Sequence, residues 1–227
     1  LVRDPVVARY RPWLNEVRSF RPHQLSDDAE AMLHELSVVQ SQPWVRLFDQ
    51  TIAGLRFEID GETLTEAQAL DLLSSSDPAK REASARELAR VFKANESLFA
   101  LITNTLAKSK SIEDGWRHFA RPISSRNLAN QVEDEVVEAL IDAVQKSYPS
   151  LSHRYYALKA RWMGVGKLDW WDRNAPLPND DDRQIPWDEA RATVLGAYGD
   201  FAPQMAEIAG VFFDEGWIDA PVREGKA

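Results

Sequence analysis

The chain has 227 residues, no cysteine and a formal net charge of −9, with 44% hydrophobic and 28% charged residues. This is a globular balance, and a chain of this length can bury roughly 70% of its unfolded surface without staples. Absent thiols exclude disulfides, thiolate zinc sites and a cysteine nucleophile, and 36 acidic against 27 basic residues disfavour nucleic acid as a partner. No apolar run nears the roughly 18 residues of a membrane span, so neither a membrane nor nucleic acid is expected as a partner, and the expected location is cytoplasmic.

The first segment, DPVVARYRPWLNEVRSF, carries Val6, Val7, Tyr10, Trp13, Leu14 and Val17 at helical spacing, with Pro12 expected to kink it. LSDDAEAMLHELSVV follows as a helix capped by Ser26, its first turn enriched in Asp27, Asp28 and Glu30. Pro43 opens another helix in PWVRLFDQTIAG. The period then changes from helical to alternating. In LRFEIDGETLT, Leu55, Phe57 and Ile59 alternate with Arg56, Glu58 and Asp60, and Asp60-Gly61 marks a hairpin near residues 55–65. Thr65 and Gln68 form a capping box for the next helix.

Asp77-Pro78 starts the longest helical stretch, which runs to about Lys110 with Leu88, Val91, Phe92, Leu98, Phe99, Ile102 and Leu106 on one face. Residues 109–130 read as irregular and polar, and the main boundary is expected there. Asn130 and Glu133 suggest a second capping box before the helix NQVEDEVVEALIDAVQKSY. SLSHRYYALKARWMG is a further helix stopped at Gly164. LDWWDRNAPLP lacks helical period and reads as an extended strand, and the acidic run Asp180, Asp181 and Asp182 as a solvated loop. Two last helices are expected from Pro186 to about Tyr198 and from about Ala202 to Asp214. The fold class is mainly α with one β-hairpin, divided into residues 1–115 and 116–227.

Chemistry is sparse in this pattern. His34-Glu35 begins a helical zinc-hydrolase motif, but Val38 stands where the second imidazole must be. Asp188 and Glu189 with the preceding acidic loop lack the ligand alternation and glycine of an EF-hand. Glu133, Asp134, Glu135 and Glu138 suit the positive end of a helix dipole better than acid–base work. Two groups remain as candidates for a substrate cleft. Arg126, Asn127 and Asn130 offer a guanidinium fork and amides that can bond a carboxylate and a peptide backbone, or equally bond their own loop. His153, Tyr155 and Tyr156 could line a cleft, or His153 could be an ordinary residue at a helix start. The tryptophans at 162, 170, 171, 187 and 217 fall in the second half and are expected to pack between helices.

In order, these stretches resemble oligoendopeptidase F, of the thimet-oligopeptidase group of zinc metallopeptidases. LRFEIDGETLTEAQALDLLSSSDPAKREASARELARVF is similar to that family's N-terminal helical domain, and SSRNLANQVEDEVVEALIDAV to the segment entering its catalytic domain. WWDRNAPLP and GWIDAPVREGKA resemble stretches ahead of its active site. The resemblance implies a helical N-terminal domain with a hairpin over 1–115, then the helical start of a metallopeptidase catalytic domain over 116–227. It implies zinc in the parent enzyme, short peptides as substrates and the remainder of the catalytic domain as partner. HExxH is absent from all 227 residues, so no zinc and no peptidase activity are expected of this chain alone. The opening at Leu1 and the ending after GWIDAPVREGKA lead us to expect a piece of a longer polypeptide. The competing expectation is a non-catalytic helical scaffold that binds partners, since SDPAKREASARELARVF also resembles one helix of a HEAT-type repeat.

Overall fold

The computed structural model describes residues 8–178 and 183–220. The expected segments Val6–Val7, Asp180–Asp182 and the stretch from Pro221 lie outside the described residues. The chain falls into two compact units, one through Ala175 and one from Pro176.

In the first unit, α1 (Arg11–Ser19), α2 (Asp27–Ser37) and α3 (Gln42–Gly54) precede a hairpin of β1 (Phe57–Ile59) and β2 (Glu62–Leu64). Pro12 lies at the start of α1 rather than inside it, so it begins the helix and kinks nothing. Ser26 accepts from the Ala29 N–H as the expected cap of α2. The hairpin pairs Phe57 with Leu64 and Ile59 with Glu62. Its two linking residues, Asp60 at φ 53° and Gly61 at φ 83°, both occupy left-handed backbone, the requirement of the tight turn that matches strand twist.

The hairpin leads through the Thr65–Gln68 capping box into α4 (Glu66–Asp71). Asp77 caps α5 (Pro78–Ala94) as expected. The single long helix of the sequence reading is two helices, because Asn95 breaks it and turns its amide back onto the Val91 carbonyl, 2.9 Å away. Then α6 runs Glu96–Trp116, further than the expected irregular segment allowed. Its last turns are polar because they face water and are braced by a Lys110–Asp114 pair one turn apart. The helix ends when His118 enters the left-handed region at φ 59°, so that the Phe119 N–H caps the Asp114 carbonyl.

The core of this unit forms under the hairpin. Phe57, Ile59, Ala69, Leu88 and Val91 are buried together, with Leu55, Leu64, Leu72, Leu73 and Phe92 packed against them. Phe57 meets Phe92 edge-on at 5.8 Å. The Glu58 N–H donates to Glu87 at 3.0 Å, fastening β1 to α5. On the other side, Arg117 forks onto Glu30 at 2.7 and 2.9 Å and joins the end of α6 to α2.

Next come α7 (Ser124–Ala129), α8 (Asp134–Ser147) and α9 (Ser152–Trp162). The expected Asn130–Glu133 capping box is not formed: Asn130 terminates α7, and Glu133 precedes α8 with no side-chain cap bond. Gly164 at φ 72° does stop α9. The expected strand LDWWDRNAPLP is not extended: Trp170–Asp172 form a short 3-10 turn, because the Asp172 carboxylate accepts the Asp169 N–H and the Asp172 N–H returns to the Asp169 carbonyl. In the second unit, α10 (Trp187–Phe201) and α11 (Pro203–Asp214) form a helical hairpin around an extended Ala202. No helix of the described residues is long and apolar enough to cross a membrane.

Candidate functional site

The polar chemistry of the first unit concentrates where α9 meets the Trp170–Asp172 turn and the start of α5. Arg81 is completely buried in α5. Its Nε and Nη2 donate to Asp172 Oδ1 at 3.1 and 2.8 Å, and its Nη1 donates to the carbonyls of Ser75 and Ser76. Asp172 Oδ2 accepts from the Asp169 N–H at 3.1 Å. Lys159, also buried, projects from α9 and donates to the carbonyls of Arg173 and Ala175 at 2.8 and 2.6 Å. A buried charge is tolerated only with its donors and acceptors met. Here an arginine and a lysine from separate helices meet that demand on either side of one seven-residue stretch, 169–175. The stretch is thereby fixed in shape.

The fixed stretch forms one wall of a cavity of about 480 Å³, whose floor is α9. Tyr156, Ala160, Leu168 and Trp170 supply apolar surface, and Lys167, Asp169 and Arg173 stand around it. Trp170 meets Trp171 edge-on at 5.8 Å, and Trp171 in turn carries the Arg86 guanidinium 5.5 Å from its ring centre.

The expected cleft residues divide between two places. Asn127 is buried and lines a separate cavity of about 650 Å³, with His23, His118, Glu133 and Asp134. Its Nδ2 donates to Asp134 Oδ1 at 2.7 Å, so it links α7 to α8. Arg126 and Asn130 are exposed, and the Arg126 carbonyl accepts the Asn130 N–H. His153 is exposed at the start of α9, its ring 6.2 Å from that of Tyr148. Tyr155 and Tyr156 lie 5.5 Å apart, and Tyr156 reaches the cavity on α9. Asn127 and Tyr156 thus open on different cavities.

Carboxylates in the first turns of α8 take part in a surface network in which Arg121 pairs with Asp134 and Glu138, and the Glu138 bond holds the guanidinium more firmly protonated than usual. Glu30, held by the Arg117 fork and by the Leu25 N–H, has its pKa lowered to about 2. Among the described residues, no three His, Cys, Asp or Glu side chains gather as a metal site.

Four of these five tryptophans depart from the expected core role: Trp162, Trp170, Trp187 and Trp217 are each about half exposed or more, while Trp171 is half-buried. Arg81, Lys159 and Asp172 were not anticipated. The signal for Arg81 is its place in a stripe with Ser84, Ala85, Leu88 and Val91, at helical spacing with small residues that admit close packing. Nothing in the pattern of α9 singles out Lys159.

The oligopeptidase F family model matches residues 1–57. Over its whole length the chain is 26% identical to the group B oligopeptidase PepB of Streptococcus agalactiae, covering 38% of that protein. Over 96% of its length it is 25% identical to oligopeptidase PepF of Bacillus subtilis, covering 33%. A Bacillus anthracis structure assigned to oligoendopeptidase F has the same fold over the full chain, with a TM-score of 0.82 at 17% identity, and the chain covers 42% of it. The resemblance to oligopeptidase F therefore holds from end to end, while the chain spans between a third and two fifths of the curated relatives it matches.

Proposed function

We propose that this chain is the N-terminal portion of a zinc-dependent oligopeptidase that hydrolyses short peptides, and that it supplies one wall of the substrate cleft. Residues 1–115 form the helical lobe and residues 116–227 begin the catalytic domain. The observation that carries the reading is the end-to-end similarity to proteins named oligopeptidases at little more than a third of their length, in a sequence without HExxH. The metal, its ligands and the general base then belong to polypeptide outside this sequence. Zinc held there would supply a Lewis acid for the scissile carbonyl and a source of activated water. The residues of this chain contribute shape and binding to that chemistry.

The apolar faces of α8 and α11 support the same reading. Leu140, Ile141, Ile208 and Phe212 are exposed on helices whose polar faces are well solvated. An apolar helix face left exposed marks a surface that another element covers, and the remainder of the catalytic domain is the proposed cover of each. The test is the natural polypeptide itself. The reading expects a mass well above that of this chain and peptide hydrolysis that a chelator abolishes and zinc restores. A natural product of 25.7 kDa, or hydrolysis indifferent to chelation, overturns it.

A further inference from the structure

We infer that the cavity on α9 seats the C-terminal residue of a short peptide, its apolar side chain against Tyr156 and Trp170 and its α-carboxylate between Lys167 and Arg173. The inference rests on the peptide-substrate reading and adds which end of the peptide is held, and where.

Size is the first consideration. A space of about 480 Å³ lies within the range of small-ligand sites and suits one large side chain with its adjoining backbone. Its walls are chiefly apolar, with two aromatic rings that can flank an aliphatic or aromatic group.

Charge is the second. The chain carries −9 overall, and most basic side chains near carboxylates are already paired, as Arg81, Arg117 and Arg121 are. Neither the Lys167 ammonium nor the Arg173 guanidinium has an ion pair or hydrogen bond among the described residues, yet both line this cavity. The one carboxylate there, Asp169, pairs with neither cation among the described residues, and the two cations outnumber it. What remains is two uncommitted cations beside an apolar space, complementary to a group that is anionic at one end and apolar beside it. Arg173 can take a carboxylate through two parallel N–H donors, and Lys167 adds a point charge.

Rigidity is the third. Arg81 and Lys159 fix stretch 169–175 from both sides, so the wall bearing Trp170 and Arg173 is set before a ligand arrives. A wall already in place spares the ordering cost of binding.

The experiment is a titration of tryptophan fluorescence, backed by calorimetry, with N-acetyl-Ala-Phe-Leu and with the same peptide ending in a C-terminal amide. It uses the 227-residue chain and the intact natural polypeptide. The acid is expected to bind both proteins about tenfold tighter than the amide, and added salt is expected to narrow the gap. Lys167→Gln with Arg173→Gln, both at exposed positions, removes the preference, and Trp170→Ala weakens acid and amide alike. Equal binding of acid and amide, no binding of either, or a preference unchanged in the double variant overturns the inference. So does binding by this chain but not by the intact polypeptide, which means that the polypeptide covers its own cavity. Because binding is read without turnover, the two readings fail separately. Chelator-sensitive hydrolysis without acid–amide discrimination sinks the site alone. Discrimination without any hydrolysis sinks the peptidase reading and leaves a carboxylate-recognising site.

Discussion

The hairpin with α5 and the helices from α8 onward are both built from amphipathic sequence, but they end differently. In the first region Phe57, Ile59, Leu88 and Val91 are all buried within one cluster. In α8, α10 and α11 no residue is buried, although Leu140 and Ile208 lie on faces just as apolar. Amphipathicity decides which face a helix turns inward. Only a partner decides whether that face is covered. The first region contains its own partner, the hairpin; for the later helices the proposed partner is the remainder of the catalytic domain. Within the first unit the Arg81–Asp172 pair joins α5 to the Trp170–Asp172 turn, 91 positions apart in sequence.

That comparison can be broken most forcefully at the pair. Arg81→Met leaves the Asp172 carboxylate buried without its cation, and a loss of about 3–5 kcal/mol in urea-unfolding stability is expected. Adding Asp172→Leu should recover much of that loss, because the orphaned charge is then gone as well. Next, Phe57→Ala should cost about 3–5 kcal/mol through a cavity that the hairpin core cannot refill. The matched truncation Leu140→Ala on α8 should change stability by no more than about 0.5 kcal/mol. Similar losses at both positions would mean that the two regions do not differ as described.

A smaller effect tests the brace between α2 and α6. The folded-state pKa of Glu30 is depressed to about 2, chiefly by its bonds from Arg117. Its contribution is therefore fully present above the ordinary carboxylate range and is lost as pH falls from about 4.5 toward 2. The pair is partly exposed, with 36% of the Glu30 side chain accessible, so solvent screening holds the contribution to about 1 kcal/mol or less. Glu30→Gln should lower stability by that amount at neutral pH and flatten the acid limb of the unfolding curve. The smallest effect on stability belongs to Leu140→Glu with Ile208→Glu, which should reduce binding of a hydrophobic dye and leave the unfolding midpoint nearly unchanged.

Local signals in the sequence are legible where one short-range rule governs the backbone. Asp60-Gly61, the Thr65–Gln68 box, the Asp77 cap and the stop at Gly164 all depend on a few adjacent residues, and each lies where its chemistry requires. Long-range contacts were not legible. The WWD stretch lacks helical period, yet its turn is held by an arginine 91 residues away and a lysine on α9. The polar end of α6 resembled a loop because nothing buries it, and its i,i+4 pair shows only once the helix is granted. Among the expected cleft residues, Tyr156 lines the cavity on α9, whereas Asn127 lines another and bonds Asp134 across α7 and α8. Polar residue type alone does not separate those two uses.

The most direct measurement sets the 227-residue chain and the intact natural polypeptide side by side, each with a quenched-fluorescent oligopeptide and excess zinc. The account predicts turnover by the intact polypeptide and none by the chain. Metal-dependent turnover by the chain, or an intact polypeptide that cleaves no short peptide, would contradict it.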